Sequence, residues 1–337
     1  MPEPTGSDLH IDTFLSNLSI AYMNEPKSYI ADQVFPVVPS KKQSDTYAIY
    51  NAYDWFRDQA DQRAPLTDGS GGSYGLETPG TFFCNEYSIF KDIADEDRDN
   101  ADDVFDLDEE STEWVIEMLR ISRERRWGTT YFGSSIWGTD LEGQSDAPGT
   151  DEFYVWDDAT NSTPIEDIES AVRVVKTATG LKPNTLVVAE RVFSTLKNHA
   201  DILDRYKYTQ AGIITEDLVA KVVGVDKLLV GGAIYATSPK GTTTMAYALD
   251  QYASLLVYVA PRPTKRRPSG GYTFRWDRPQ YGDAGGDRLQ STIRKFDLGS
   301  KGGTRIRGSV YEDLKLVASG CGVFFNNCIA AGRTSIT

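Results

Sequence analysis

Residues 106–126 read DLDEESTEWVIEMLRISRERR, and this stretch sets the scale of the fold. Asp106 and Glu109 stand at the spacing of a capping box, in which the two residues satisfy each other's backbone N–H groups. Trp114, Met118 and Ile121, joined by Val115 and Leu119, recur at helical intervals and form one apolar stripe. Asp108, Glu109, Glu110 and Glu113 crowd the start, while Arg120, Arg123, Arg125 and Arg126 crowd the end. That order of charge complements the helix dipole. The stretch predicts a long helix, wetted along much of its surface.

Upstream, residues 44–60 carry Tyr47, Ile49, Tyr50, Tyr53, Trp55 and Phe56, and residues 81–90 carry Phe82, Phe83, Tyr87, Ile89 and Phe90. Aromatic and β-branched residues favour strands, and Asp68-Gly69-Ser70-Gly71-Gly72-Ser73 between the two runs supplies a flexible tip. The expectation is a two-stranded hairpin whose legs, about 20 residues each, reach roughly 65 Å at ~3.3 Å per residue. An isolated hairpin is marginal in water, so this one needs a surface to lie on. Prolines at 2, 4, 26, 36 and 39 break the first forty residues. Ile11, Phe14, Leu15, Leu18, Ile20 and Tyr22 offer one brief apolar element there, and Ile30 to Pro39 is expected to run extended. These residues read as an arm.

Downstream the signals sharpen. Thr163 as N-cap, Pro164 in the first turn and Glu166 open a helix whose buried face is Ile165, Ile168, Val172 and Val175, and Gly180 closes it. Leu186-Val187-Val188 reads as a buried strand, Val192, Phe193 and Leu196 mark a second helix, and a third runs from Thr215 to Gly224. Leu228-Leu229-Val230 and Leu255 to Val259 read as further strands, and Arg305 to Ile329 as strands broken at Gly320 and Gly322. This is a mixed α/β unit behind a sprawling first third.

Composition removes several function classes. The 337 residues hold 35 basic and 49 acidic side chains, a formal charge of 35 − 49 = −14, and 40% hydrophobic residues. A negative field disfavours general binding to nucleic acid or anionic membrane. No apolar run approaches the ~18 residues of a membrane span, and the first residues lack the charged and apolar regions of a secretion signal. Cys84, Cys321 and Cys328 have neither zinc spacing nor the density of a disulfide scaffold. Only His10 and His199 are present, so a Ser-His-Asp or Cys-His arrangement must draw on one of them; His199 at a helix end reads as a cap.

Two segments carry a chemical hint. Asp95, Asp97, Asp99, Asp103 and Asp106 echo a calcium loop, but Asn100 replaces its turn glycine and Asp106 is short for the bidentate glutamate. A solvated acidic face is the plainer reading. The segment Arg262 to Pro268, with Arg266 and Arg267, precedes Tyr272, Phe274 and Trp276. Interleaved charge and aromatics suit single strands. Pairing with an acidic segment of another subunit suits an acidic chain better.

The order of arm, hairpin, long helix and α/β unit resembles the major capsid proteins of tailed bacteriophages, with the Hong Kong 97-type fold. The resembling stretches are Phe14-Leu15-Ser16-Asn17-Leu18-Ser19, Tyr29 to Pro36, Arg63-Ala64-Pro65, Asp92-Ile93-Ala94-Asp95-Glu96, Thr179 to Leu186 and Gly224 to Leu228. The resemblance implies an α+β fold with an N-terminal arm (1–39) and an extended hairpin loop (40–91). It also implies a peripheral domain holding a spine helix (92–163 and 287–318) and a mixed α/β axial domain (164–286 and 319–337).

It further implies a structural, non-enzymatic protein without cofactor or metal, assembling as pentamers and hexamers into an icosahedral shell around double-stranded DNA. The shell would belong to the virion and be assembled in the host cytoplasm. A scaffolding protein, portal and decoration proteins are further expected partners, with DNA contacted only non-specifically and no membrane. Because the arm begins almost at Met1, scaffolding is expected from a separate protein or not at all. Trp55, Phe56, Phe82, Phe83, Arg266 and Arg267 are the expected inter-subunit contacts. The competing readings are another phage structural or decoration protein, or a metal-dependent hydrolase using the Asp95–Asp106 acids.

Overall fold

The computed structural model describes residues 23–49, 52–75, 77–100, 106–207, 215–238, 244–262, 268–277, 292–299 and 302–330. The arm departs first from expectation. Ile30 to Pro39 is not continuously extended: Ala31–Val34 closes one helical turn (α1), and only Val37–Ser40 forms a strand (β1). The cause is a distant side chain. The Glu124 carboxylate accepts the N–H groups of Ile30 at 3.2 Å and Ala31 at 3.0 Å, donors that a helix start leaves without internal partners. Pro36 then turns the chain back to strand geometry.

The hairpin is shorter than its aromatic content suggests. Ser44–Tyr47 (β2) pairs antiparallel with Gly80–Phe83 (β3) over four residues, flanked by backbone bonds from Cys84 to Gln43 and from Glu77 to Ile49, and Ala52–Phe56 coils into a helix (α2). The described residues between 57 and 79 contain no strand. Asp58, Gln59, Asp61, Gln62, Arg63 and Pro65 break any apolar alternation there. Farther out, side chains bridge the two legs: Ser70 Oγ donates to the Gln59 carbonyl at 2.6 Å, and Asp54 accepts the Gly75 N–H at 2.9 Å.

Asn85–Ala94 (β4) and Asp95–Asn100 (α3) lead into the predicted long helix, Leu107–Tyr131 (α4), of 25 residues. Asp106 caps it, accepting from the N–H groups of Asp108 and Glu109 at 3.1 Å each. Its buried stripe differs from the expected one. Trp114 is 40% exposed, whereas Val115, Leu119 and Trp127 are buried together with Glu117, Arg123 and Glu124. The arm covers a charged face that periodicity alone assigns to solvent.

The chain continues through Thr139–Gln144 (β5), Glu152–Tyr154 (β6), Pro164–Thr179 (α5) and Thr185–Ala189 (β7). Glu190–Lys197 (α6), Ala200–Lys207 (α7), Glu216–Val223 (α8) and Lys227–Gly231 (β8) follow. Gly180 and Gly224, with φ of 71° and 79°, end α5 and α8 in the left-handed region, as the glycine positions imply. α7 has no counterpart among the expected helices. Ile234–Ala236 (β9), Met245–Tyr247 (β10), Ser254–Val257 (β11), Gly271–Trp276 (β12), Thr292–Asp297 (β13), Gly303–Leu316 (β14) and Gly322–Asn326 (β15) complete the chain.

Two large sheets organise these elements. One has the order β6-β5-β15-β11-β7-β8, and helices α5, α6 and α8 contribute to its core of Trp156, Ile165, Ile168, Leu186, Leu196, Val219, Leu256 and Phe325. The other is built on β14. Its ten residues from Gly303 to Glu312 pair antiparallel with β4, while its opposite edge takes β13 and β12 in tandem, and β1 lies parallel to β12. Helix α4 packs across this ribbon where Gly308 leaves room: a Cβ there would meet Val115 Cγ1 at 2.4 Å. The pairing assigns β5 and β6 to the first sheet and β12 to the second, so strand partnership does not follow the expected boundaries near 163 and 286.

A buried charge cluster ties arm, helix and ribbon together. Glu312 of β14, 1% exposed, sits opposite Arg275 of β12. It also binds Arg123 and, at 2.6 Å, Arg126 of α4. Arg123 reaches on to Asp32 of α1. Burial alone would raise the Glu312 carboxyl, but Arg123, Arg126 and Arg275 hold it below the usual glutamate value. Removing one partner of such a cluster costs about 3–5 kcal/mol because the remaining charge stays buried and unpaired. Glu312→Ala is therefore expected to lower unfolding stability by that amount in chemical denaturation.

Glu124 behaves oppositely. Burial pushes its carboxyl up to about 7, against the pull of the Ala31 and Ile30 N–H groups. A raised carboxyl favours the fold when protonated, so its contribution is complete below the ordinary value of 4.5 and is lost as pH rises through 7. The Glu124→Gln variant is expected to lose less stability than the parent between pH 4.5 and 7, measured by denaturation midpoints across that range.

Candidate functional site

The exposed aromatics concentrate on the hairpin loop. Trp55 and Phe56 on α2 are 62% and 65% exposed. Trp55 leans on Tyr74 with ring centroids 5.3 Å apart, joining the two legs of the loop. The Phe56 ring lies over the backbone of Gly180, where a Cβ would come within 2.8 Å of it. The loop therefore touches the end of α5 but does not bury its rings there.

The two phenylalanines of β3 part company. Phe83 is 52% exposed. Phe82, an expected inter-subunit contact, is 3% exposed and stacks flat on Phe274 at 4.3 Å. Strand alternation sends it inward, onto its own chain, and that expectation is corrected. Arg266 and Arg267 lie outside the described residues. Sequence reasoning also missed Phe90 of β4, which is exposed at mid-strand and stacked by Arg305 at 3.8 Å. Arg305 is held in turn by a two-point contact with Asp92 at 2.6 and 2.7 Å. The alternation of β4 carried that signal.

Three constellations with chemical potential resolve into structural roles. Ser162 Oγ lies 2.8 Å from His199 Nε2, and Asp201 Oδ2 lies 3.7 Å from His199 Nδ1. The order imitates a hydrolytic triad, but the hydrogen bonds run the wrong way. Nδ1 accepts the Asp201 N–H at 3.3 Å, and the Ser162 hydroxyl donates to the Asp158 carbonyl rather than to the ring. The acidic run is likewise committed elsewhere. Residues 95–100 form α3 and residues 101–105 lie outside the described residues, while Arg98 pairs with Asp108 at 2.8 Å. Among the described residues no group of three His, Cys, Asp or Glu is placed to hold a metal ion. The three cysteines are buried and unpaired, with burial pushing Cys84 up to about 12 and Cys321 to about 11.

What stands out is a rigid two-sheet frame with an aromatic loop and strand face left open. Comparison with known proteins identifies the frame. No family model matches the chain. The major capsid protein of Burkholderia phage BcepMu is 25% identical over 282 residues, covering 79% of this chain and 83% of its own. The major capsid protein of Pseudomonas phage JBD67 is 25% identical over 337 residues, covering 95% and 98%. The capsid structure of cyanophage P-SCSP1u superposes with a TM-score of 0.59 at 13% identity over 95% of this chain and 93% of that one. The chain has the fold of phage capsid proteins. Its curated homologues are major capsid proteins.

Phe82 and Trp55 should separate in the dilute chain. Truncating a buried phenylalanine costs about 3–5 kcal/mol, so Phe82→Ala is expected to lower the denaturation midpoint markedly. Trp55→Ala, at an exposed position, is expected to stay within about 0.5 kcal/mol of the parent.

Proposed function

We propose that this chain is the principal structural subunit of a phage head, self-assembling as pentamers and hexamers into an icosahedral shell around double-stranded DNA. The observation that carries the reading is the end-to-end similarity to a phage major capsid protein. The frame of the chain is self-sufficient, while Trp55, Phe56, Phe83 and Phe90 stay exposed on one loop and its adjoining strand. Aromatic anchors that find pockets on a partner dominate association energies. A second copy is the partner that closed, symmetric assembly supplies.

The charge of −14 suits such a container. A wall with a negative field does not grip the DNA moving into it. The role is structural rather than catalytic, and its setting is the virion. Arg266 and Arg267, in the basic segment from Arg262 to Pro268, are the proposed counterpart to acidic surfaces of the next subunit.

Negative-stain microscopy of the protein expressed alone tests this. Closed shells with five- and six-fold capsomers are expected; isolated rings, trimers or monomers at all concentrations would overturn the proposal and favour a decoration protein or another role. Trp55→Ala is expected to remove a contact worth about 2 kcal/mol, raising the concentration needed for assembly roughly thirty-fold, with folding unchanged.

A further inference from the structure

The chain holds one Asp-Gly pair, Asp68-Gly69, and no Asn-Gly. The pair lies on the hairpin loop between two fixed points. On one side Thr67 turns back on Ala64, donating to its carbonyl from the backbone N–H at 3.3 Å and from Oγ1 at 2.8 Å. On the other, Ser70 Oγ donates to the Gln59 carbonyl at 2.6 Å and accepts the Asp61 N–H at 3.3 Å. Asp68 and Gly69 themselves are exposed and make no hydrogen bond among the described residues. Other acids of the loop are engaged: Asp54 and Asp58 accept the N–H groups of Gly75 and Ala60 at 2.9 and 3.3 Å.

Asp68 thus meets the conditions for attack on its own side chain. Its carboxyl is solvated and untethered, and the next backbone nitrogen is held by no acceptor. The next residue also has no Cβ to hinder the approach. No atom lies within 4 Å of where a Cβ at Gly69 would stand, so the surrounding fold leaves the link room to bend.

We propose that Asp68-Gly69 is a site of spontaneous covalent modification, isomerising through a succinimide to isoaspartate. The Gly69 nitrogen attacks Cγ of the protonated Asp68 carboxyl. A C–N bond forms and a C–O bond breaks, and the carboxyl hydroxyl leaves as water with the amide proton. The ring then takes one water back. Opening at Cγ restores aspartate, whereas opening at the main-chain carbonyl leaves the chain running through Cβ and Cγ, one atom longer, with a free α-carboxylate. The extra atom falls between the Thr67 turn and the Ser70 clamp. This inference concerns the free subunit and stands apart from shell formation.

The dilute full-length protein, held for several weeks at physiological temperature and neutral pH, tests it. Isoaspartate is read after digestion by electron-transfer fragmentation and by methyl acceptance from a protein isoaspartyl methyltransferase. It is expected at residue 68 at a rate within about fivefold of that in a synthetic peptide of residues 60–75, because an exposed loop without backbone hydrogen bonds behaves locally like free chain. Gly69→Ala places its Cβ in open space and so keeps the fold. It is expected to slow the reaction roughly fivefold, the rate equivalent of alanine's narrower backbone freedom. A parent rate further below the peptide's, or an unchanged rate in Gly69→Ala, would overturn the proposal.

Discussion

Glu312 lies at the centre of this structure, a carboxylate with almost no exposure inside a ring of arginines. Arg275 meets it from the neighbouring strand, and Arg123 and Arg126 meet it from the spine helix. Arg123 also reaches the arm through Asp32. Burying charge is costly unless every member is paired, so the cluster holds only when ribbon, helix and arm are all in register. It contributes less through net energy than through exclusion of alternatives. An arm shifted by one residue along α4 would misalign Asp32 with Arg123 and the Ile30 and Ala31 N–H groups with Glu124.

The register is reinforced at a spacing of seven. Glu117, Glu124 and Tyr131 succeed one another on one side of α4. Glu117 accepts from Asn24 and Tyr29, Glu124 from Ile30 and Ala31, and the Tyr131 ring meets Phe35 at 4.8 Å. Phe35 continues into an aromatic cluster with Trp127 and Trp137, so the arm passes from polar to apolar anchorage within a dozen residues. The frame of the capsid fold is thus tied together within one chain. Trp55 leans on Tyr74 and Phe56 on the Gly180 backbone, yet both stay largely exposed on the loop.

The sequence disclosed the regular parts of this architecture and concealed the coupled ones. Asp106 as cap, Pro164 and Gly180 as the ends of α5, and the run from Leu186 to Val188 were legible because each is local: propensity, capping and burial agree there. The arm was not. Ile30 to Pro39 looks extended by its prolines, and only Glu124, over ninety positions away, makes Ala31–Val34 a helical turn. The stripe on α4 failed similarly. Glu117, Arg123 and Glu124 look solvated until the arm lies over them, whereas Trp114 looks buried and is not. On the loop, Trp55 and Phe82 are equally greasy in sequence; alternation in a short strand sends one inward, and nothing in composition distinguishes them.

The central claim is that the arm is fixed on its own spine helix before any neighbour arrives. A double-mutant cycle on Asp32→Ala and Arg123→Ala tests it, read by chemical denaturation of the chain at concentrations below assembly. Residues coupled through one buried network give interaction energies of about 0.5–3 kcal/mol. The structure predicts a coupling of at least about 1 kcal/mol, near the middle of that range. Strict additivity, with Asp32→Ala leaving stability unchanged, would show that the arm is loose in the free subunit and would contradict the account.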